Sequence, residues 1–555
     1  MDAPDTVADL LLARATDDAP GLRFEDEGWS WRSVVDESRR RAAVLAELGL
    51  PRPGHVGVLL DNVPEYLFWI GAAALTRTAV VGINPTRRGE ELARDVRFTD
   101  CGALVTDDAG TALLAGLDLG VDEERRLVVG SERYGRLLGA ADPRDRAVDA
   151  AAGRAEPGDL FLLLFTSGTT GSPKAVRCSQ GRLAAIATRA AELYGFRRDD
   201  VCYCPMPLFH GNALMALWAP SLAVGATVAL TRRFSASGFL PDVRRHGATR
   251  FTYVGKALAY VLTTDERPDD TQNTLRVGFG TEASAPDRVE FERRFGCTLV
   301  EGYGSSEGGA SINVTPDTPD GSLGLSGDEV CIVDPDSGRE CPRARFDEGG
   351  RLLNGDEAVG EIVNRSGARG FEGYYKDDHA GSARVRDGAY WTGDLGYRDE
   401  QGFFYFAGRG NDRLRVDSEN LAAAPIERIL ERHPDVAAAA VYPVPDPRSG
   451  DAVMAAIELR PGRAFDGEGF AVFLAAQPDL GTKWAPRFVR VVAAMPVTAT
   501  GKITKPGLVA EGWARAQAVH WRPGPGTPYR PLDPEDRERL RREFDRHGRL
   551  GLLGG

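Results

Sequence analysis

The residues with the most evident chemistry form one unbroken segment, Thr166-Ser167-Gly168-Thr169-Thr170-Gly171-Ser172-Pro173-Lys174. Its glycines let main chain approach an anion closely, its hydroxyls and amides can donate to one, and Lys174 adds a point charge. That is the chemistry of a phosphate cradle. The order differs from a Walker A loop, because Pro173 stands before Lys174 where G-K-[ST] would run on. A continuous apolar run at 159–165 (DLFLLLF) precedes the segment, the pattern of a strand buried on both faces. A helix is expected to follow it, with apolar Leu183, Ile186, Ala190 and Leu193 at spacings of 3, 4 and 3.

The chain that must position this loop has 555 residues, 42% hydrophobic and 27% charged, a globular composition that excludes a wholly disordered or collagenous protein. Its net charge of −13 argues against a general nucleic-acid partner, whose capture rests on basic patches. A phosphate-bearing small molecule stays compatible, since local backbone donors outweigh net charge. Seven scattered cysteines, an odd number, fit a reducing, cytoplasmic setting. Cys202 and Cys204 read as small buried residues of one strand rather than as metal ligands. The acidic start Met1-Asp2-Ala3-Pro4-Asp5 puts no basic region before Leu10-Leu11-Leu12, so no signal peptide is expected. The stretch 205–230 carries no charge except on His210 when protonated, but Pro205, Pro207, Gly211, Asn212, Pro220 and Gly225 interrupt it. It reads as a buried loop–helix–strand, not a transmembrane segment.

Along the chain, a strand at 55–60, a helix at 64–76 and a strand at 79–82 give β-α-β, hence a parallel sheet. Such alternation runs to about residue 310. Residues 315–410 change to short strands, such as 329–333 and 360–364, with Asp-Gly turns. A boundary falls at Gly408-Arg409-Gly410-Asn411-Asp412. Beyond it come a helix from Pro425 to about His433 and strands near 437–444, 452–459 and 487–492. The expected fold class is α/β: a large N-terminal body of β/α subdomains plus a β-rich subdomain, with a small mobile α/β C-terminal domain. The expected divisions are 1–409, 410–522, and a Pro/Gly-rich tail with a charged helix at 523–555.

Two shorter motifs suggest rival chemistry. Gly304-Ser305-Ser306-Glu307-Gly308 fits G-x-S-x-G, a hydrolase nucleophile elbow, which needs a strand before it and a helix after it. The residues after it, 309–315 (GASINVT), make a poor helix. Gly278-Phe279-Gly280-Thr281-Glu282-Ala283 fits a dinucleotide fingerprint, but Ser284-Ala285-Pro286 is a poor helix start.

With five motifs in order, the chain resembles the adenylate-forming superfamily of acyl-CoA synthetases, stand-alone adenylation domains and luciferases. The phosphate segment resembles its TSGTTGxPK loop. Tyr303-Gly304-Ser305-Ser306-Glu307 resembles YGxTE, and Trp391-Thr392-Gly393-Asp394 resembles TGD. Gly408-Arg409 with Asp412 resembles the hinge, and Pro496-Val497-Thr498-Ala499-Thr500-Gly501-Lys502-Ile503 resembles P-x-T-x-x-G-K-I. Gly370-Phe371-Glu372-Gly373-Tyr374-Tyr375 fits too, and the likeness spans roughly residues 20–520. Residues 253–262 with EGYGSSEGG most resemble the fatty-acid-transport, very-long-chain branch.

The resemblance implies ATP-dependent activation of a hydrophobic carboxylic acid through an acyl-adenylate, then transfer to coenzyme A. It implies that Lys502, Glu307 and His210 are catalytic, with Glu307 holding Mg²⁺. Thr166, Ser167, Gly168, Thr169, Thr170, Lys174 and Ser306 would face the phosphates. Gly280, Thr281 and Glu282 would wall the adenine, with Tyr303, Asp394 and Arg409 completing the nucleotide site. Phe209, Asn212, Tyr253, Val254, Gly302 and Gly304 would line the acid pocket. Amino-acid-activating relatives place an Asp after the Phe; its absence here favours a plain acid, whether fatty, aryl or polycyclic. Ser418, Glu419 and Asn420 would border the coenzyme A tunnel. Ser418 stands where thiol-using relatives carry Gly, which narrows that tunnel. The alternative is therefore an adenylation-only enzyme that hands acyl-AMP to a separate thiolating protein.

Overall fold

The apolar run at 159–165 is strand Leu160–Thr166, but its successor is a second strand, Lys174–Ser179, and not a helix. The two pair antiparallel, with Thr166 opposite Lys174. Helix Gln180–Leu193 starts only after Ser179, whose hydroxyl caps it by accepting from Arg182 N. The computed structural model describes residues 4–553 apart from 52, 145–147, 149–154, 167–173, 255–256, 282, 284, 316, 410–412, 417–418, 449–450, 482–483, 499–501 and 525. At 285, 409, 413, 415 and 419–422 it describes the main chain alone.

This hairpin closes one edge of a six-stranded sheet. From the far edge the order is Arg126–Val128, Ala103–Thr106, Gly54–Leu59, Thr78–Gly82, Leu160–Thr166 and Lys174–Ser179. All neighbours are parallel except the last pair. The crossover helix Pro64–Thr76 opens on a proline, tolerated where the amide has no helical partner, and buries Leu67, Trp69 and Ile70. A second sheet of eight strands runs from Ser311–Asn313 through Thr298–Gly304, Val277–Thr281, Arg250–Val254, Val201–Cys204 and Thr227–Leu230 to Pro20–Phe24 and Glu27–Ser30. Its interior pairs are parallel, and each end strand is antiparallel. One hydrophobic core joins both sheets through Trp31, Trp69, Phe161, Tyr203 and Phe251. Cys202 and Cys204 are buried and unbonded in their strand, as small core residues.

The stretch 205–230 becomes a loop, a short helical passage from Gly211 to Val224 and the strand Thr227–Leu230. Its middle, Leu214–Trp218, is one wide turn of π type, a form that recurs at functional sites. Among the described residues no helix is long and apolar enough to cross a membrane. The β-rich part is antiparallel: Val330–Val333, Gly360–Asn364 and Ala389–Arg398, flanked by Val385–Arg386 and Phe404–Arg409.

Towards the C-terminus a five-stranded sheet runs Val436–Pro445, Asp451–Leu459, Phe488–Val492, Val519–Trp521 and Arg530–Pro531. Helix Ala423–Leu430 packs on one face. Helix Pro534–Arg546 packs on the other, where Leu540 and Phe544 join Phe488, Trp513 and Trp521. Trp521 Nε1 donates to Asp536 Oδ2 at 3.1 Å, fixing that helix to the sheet.

The rival motifs fail on structure. Thr298–Gly304 is followed by the antiparallel strand Ser311–Asn313, so the nucleophile-elbow context is missing. A helix, Ala285–Phe295, does follow Val277–Thr281, contrary to the sequence reading. Gly278 and Gly280 nevertheless lie inside the strand, where a Cβ would overlap the rings of Phe251 and Tyr253. Aromatic packing, not a dinucleotide, requires them.

Candidate active site

Strand ends, two loops and one C-terminal turn converge on a cleft of about 2670 Å³. Lys174, at the start of its strand, holds Nζ 5.1 Å from the ring centre of Tyr374. The Tyr374 hydroxyl donates to Glu307 Oε1 at 3.3 Å. Burial, and then Glu307, pushes the Tyr374 phenol up to about 12, so it stays a donor. Tyr374 itself is fixed by main chain: Tyr375 N donates to Ala175 O at 2.8 Å, and Arg177 N donates to Gly373 O at 3.1 Å. Ser179 N donates to Glu372 Oε2 at 2.6 Å. The Glu372–Tyr375 segment thereby clamps the β-rich part onto the phosphate hairpin.

Asp394 lies in strand Ala389–Arg398 beyond Gly393, whose φ of +74° requires glycine. Its Oδ2 accepts from the Tyr303 hydroxyl at 2.8 Å, and its register partner is Arg409. Burial, then Asp394, pushes the Tyr303 phenol well above its usual range. Ser306 lies over Gly211, and Arg182 donates to the Ser306 carbonyl.

The loop carrying Phe209, His210 and Asn212 is held from below. Asn62 Nδ2 donates to Met206 O at 2.8 Å and Asn62 Oδ1 accepts from Leu208 N at 2.9 Å. Thr252 Oγ1 donates to Asn212 Oδ1 at 2.7 Å. His210 Nε2 is buried without a partner among the described residues. Burial, with a smaller push from the Lys502 charge, drops its pKa to about 4. The ring is therefore neutral at physiological pH. An imidazole held below its ordinary value near 6.5 costs stability as pH falls from about 6.5 towards 4, because the unfolded chain takes up the proton first. His210→Gln is expected to remove that part of the acid sensitivity, seen as a flatter thermal midpoint between pH 6.5 and 4. An unchanged slope would contradict it.

Thr166, Lys174, Phe209, His210, Asn212, Val254, Thr281, Gly302, Tyr303, Gly304, Ser306, Glu307, Asp394 and Lys502 all line the cleft. Tyr253 is not among the lining residues of this cleft: its ring is buried beneath Gly280 and its hydroxyl donates to Glu301 Oε1 at 3.3 Å. Gly280 supplies room for that ring and is likewise absent from the lining. Ser167, Gly168, Thr169, Thr170, Glu282 and Ser418 lie outside the described residues. Glu419 and Asn420 are in strand Glu419–Ala422, opposite Val416 and Arg415.

The apolar spacing in helix Gln180–Leu193 also has another meaning. Leu183, Ala184, Ala187 and Ala191 form its buried face. Ile186, Ala190 and Leu193 instead line the cleft, as do Val254, Phe279 and, from the wide turn, Met215. Tyr194 and Phe279 close this wall, ring centres 4.4 Å apart. The second apolar stripe is visible in the sequence, but which side is core is not. Arg384, which also lines the cleft, belongs to none of the motifs.

Comparison with known proteins agrees with this geometry. The AMP-binding enzyme family matches residues 12–375, and the AMP-binding enzyme C-terminal domain matches 425–502. The steroid-22-oyl-CoA synthetase of Rhodococcus jostii is 56% identical over 554 residues, 99% of each chain. The medium/long-chain-fatty-acid--CoA ligase FadD17 of Mycobacterium tuberculosis is 47% identical, covering 93% of this chain and 98% of its own. The names of both give no support to a hand-off of acyl-AMP to a separate thiolating protein. Among solved structures, the amide bond synthetase McbA of Marinactinospora thermotolerans superposes with a TM-score of 0.75 at 27% identity, covering 90% of this chain and 98% of its own. On this coverage and identity the chain belongs to the AMP-binding enzyme family, as an AMP-forming acyl-CoA synthetase.

Proposed function

We propose that the acid this synthetase activates has a bulky polycyclic body of the steroid 22-oic kind. The observation that carries the reading is the set of apolar residues Ile186, Ala190, Phe279 and Met215 lining a cleft of about 2670 Å³, with Ala190 small. The close relative that acts on a steroid acid supports it. ATP and coenzyme A are the co-substrates. The acid's carboxylate attacks the α-phosphate, pyrophosphate leaves, and the thiol of coenzyme A then displaces AMP. In our reading Lys502 and His210 face the carboxylate, neutral His210 donating or accepting without adding charge. Lys174 faces the phosphates, and Asp394, backed by Tyr303, holds the ribose.

Glu307 fits Mg²⁺ of the kind that accompanies a nucleotide. It is a carboxylate in the cleft without a protein cage, since no cluster of three metal-binding side chains occurs among the described residues. Mg²⁺ takes one or two carboxylates and fills its shell with phosphate oxygens and water, neutralising phosphate charge when bound. The body carrying the pocket would be 1–409 and the unit carrying Lys502 would be 410–522, which turns between the two half-reactions.

The test is acyl-CoA formation, by mass spectrometry, from a steroid C22 acid, palmitate and benzoate. The steroid acid is expected to exceed the others by about tenfold or more in kcat/KM. A linear or aryl acid in first place would sink the polycyclic reading. Ala190→Phe is expected to lower kcat/KM for the steroid acid about 10–100-fold while sparing a short linear acid. Parallel losses for both would mean that Ala190 does not shape the pocket.

A further inference from the structure

We propose that Arg384 is a phosphate-binding residue for the pyrophosphate end of ATP, a role that rests on the AMP-forming reaction above. Arg384 closes helix Asp378–Arg384 and lies half-buried in the cleft. Its guanidinium lies against Gly393, where a Cβ would overlap it, and Nη1 donates to Trp391 O at 3.3 Å. It is therefore seated on the turn that presents Asp394. On its other side it shares electrostatic contact with Tyr374, Tyr390 and Glu307. Glu361, which accepts from Gly393 N at 2.6 Å, also faces its charge.

Among the described residues Arg384 has no carboxylate within ion-pair distance, and neither does Lys174. Two cations thus meet Tyr374 beside Glu307, Lys174 over its ring and Arg384 interacting with its hydroxyl, with no carboxylate of the described residues bonded to either. A guanidinium taken partly out of water without a bonded anion is costly unless a ligand supplies one. Its planar fork matches two phosphate oxygens at once, which the point charge of Lys174 does not. Placement between the Asp394 turn and Glu307 puts it beyond the ribose, towards the outer phosphates. In the forward step the acid's carboxylate oxygen bonds to the α-phosphorus. The bond from that phosphorus to the bridging oxygen breaks, and the electron pair leaves with pyrophosphate. A fixed cation at the outer phosphates takes up the charge that this departure concentrates there.

The experiment compares ATP and AMP, because AMP lacks the outer phosphates. Both are titrated calorimetrically, with Mg²⁺, into the full chain and its Arg384→Gln and Arg384→Lys variants. Arg384→Gln is expected to weaken ATP about tenfold or more and AMP less than about threefold, with the KM for pyrophosphate in the exchange reaction rising in step. Arg384→Lys should recover part of the ATP affinity. Equal weakening of ATP and AMP would mean that Arg384 only supports the Gly393 turn, and would overturn the proposal. So would unchanged ATP affinity. If the glutamine variant melts at ambient temperature, the lysine variant decides: ATP alone weakened supports the role, and both or neither overturns it. A parent chain that binds no ATP would instead contradict the AMP-forming reaction itself.

Discussion

Lys502→Ala is expected to lower acid-dependent ATP–pyrophosphate exchange by about 10²–10³-fold, the usual cost of one preorganised donor in a water-poor site. The same variant should convert supplied acyl-adenylate and coenzyme A to thioester at close to the parent rate. The asymmetry follows from where the lysine sits. Thr498 N donates to Lys502 O at 2.7 Å, and Lys502 N donates to Thr498 Oγ1 at 3.2 Å. Val497 bridges Ile503 across the same turn. These bonds hold Lys502 where it lines the cleft and its charge reaches His210. In the proposed mechanism a cation there would stabilise the carboxylate and the α-phosphate while they join, and would be carried away from them when the 410–522 unit turns before the thiol attacks. A second readout needs no catalysis. With the lysine removed, His210 loses a repelling charge, and its imidazole should titrate above the parent's value of about 4. Equal loss of both half-reactions, or an unmoved imidazole, would contradict this placement.

How much of this was legible in the residues depends on what fixes each feature. Fully buried parallel strands declare themselves as apolar runs, so 55–60, 79–82 and 159–165 fall within a residue or two of Gly54–Leu59, Thr78–Gly82 and Leu160–Thr166. The site side chains are carried by local motifs, and most of those within the described residues do meet in one cleft. Strand Lys174–Ser179 escaped because KAVRCS is short and mixed, and runs straight into the helix Gln180–Leu193. The edge hairpin Pro20–Phe24 and Glu27–Ser30 escaped because its partner is strand Thr227–Leu230, some 200 residues away. Facing is the deeper difficulty. Periodicity shows that helix Gln180–Leu193 has an apolar stripe, yet a substrate wall and a core contact look alike in one sequence. Tyr253 shows the same difficulty: nothing in its own segment says that its ring packs beneath Gly280 on the next strand. Arg384 carries no signal of its own, since an arginine at a helix end is ordinary.

Asp394→Ala is expected to raise the KM for ATP by about 100-fold or more, with little change in the KM for the acid. Each hydrogen bond to an ionised group is worth about 1.5–3 kcal/mol, and a ribose offers two hydroxyls to one carboxylate. The substitution has a second consequence because Oδ2 accepts from Tyr303 at 2.8 Å. Alanine leaves that buried hydroxyl without its acceptor, at a cost of about 1–3 kcal/mol in stability. Tyr303→Phe separates the two effects, since it removes the hydroxyl and keeps the carboxylate. Phenylalanine should leave the fold close to the parent in stability and weaken ATP only several-fold, through looser aim of the carboxylate. Because the residues touch, the double variant should cost less than the sum of the two. Thr392 Oγ1, which accepts from Asp394 N at 3.1 Å and donates to Ile362 O at 2.8 Å, holds the main chain in place in all three variants. An alanine variant with an unaltered KM for ATP would mean that the sugar is held elsewhere. Strict additivity would mean that the 2.8 Å contact does not aim the carboxylate.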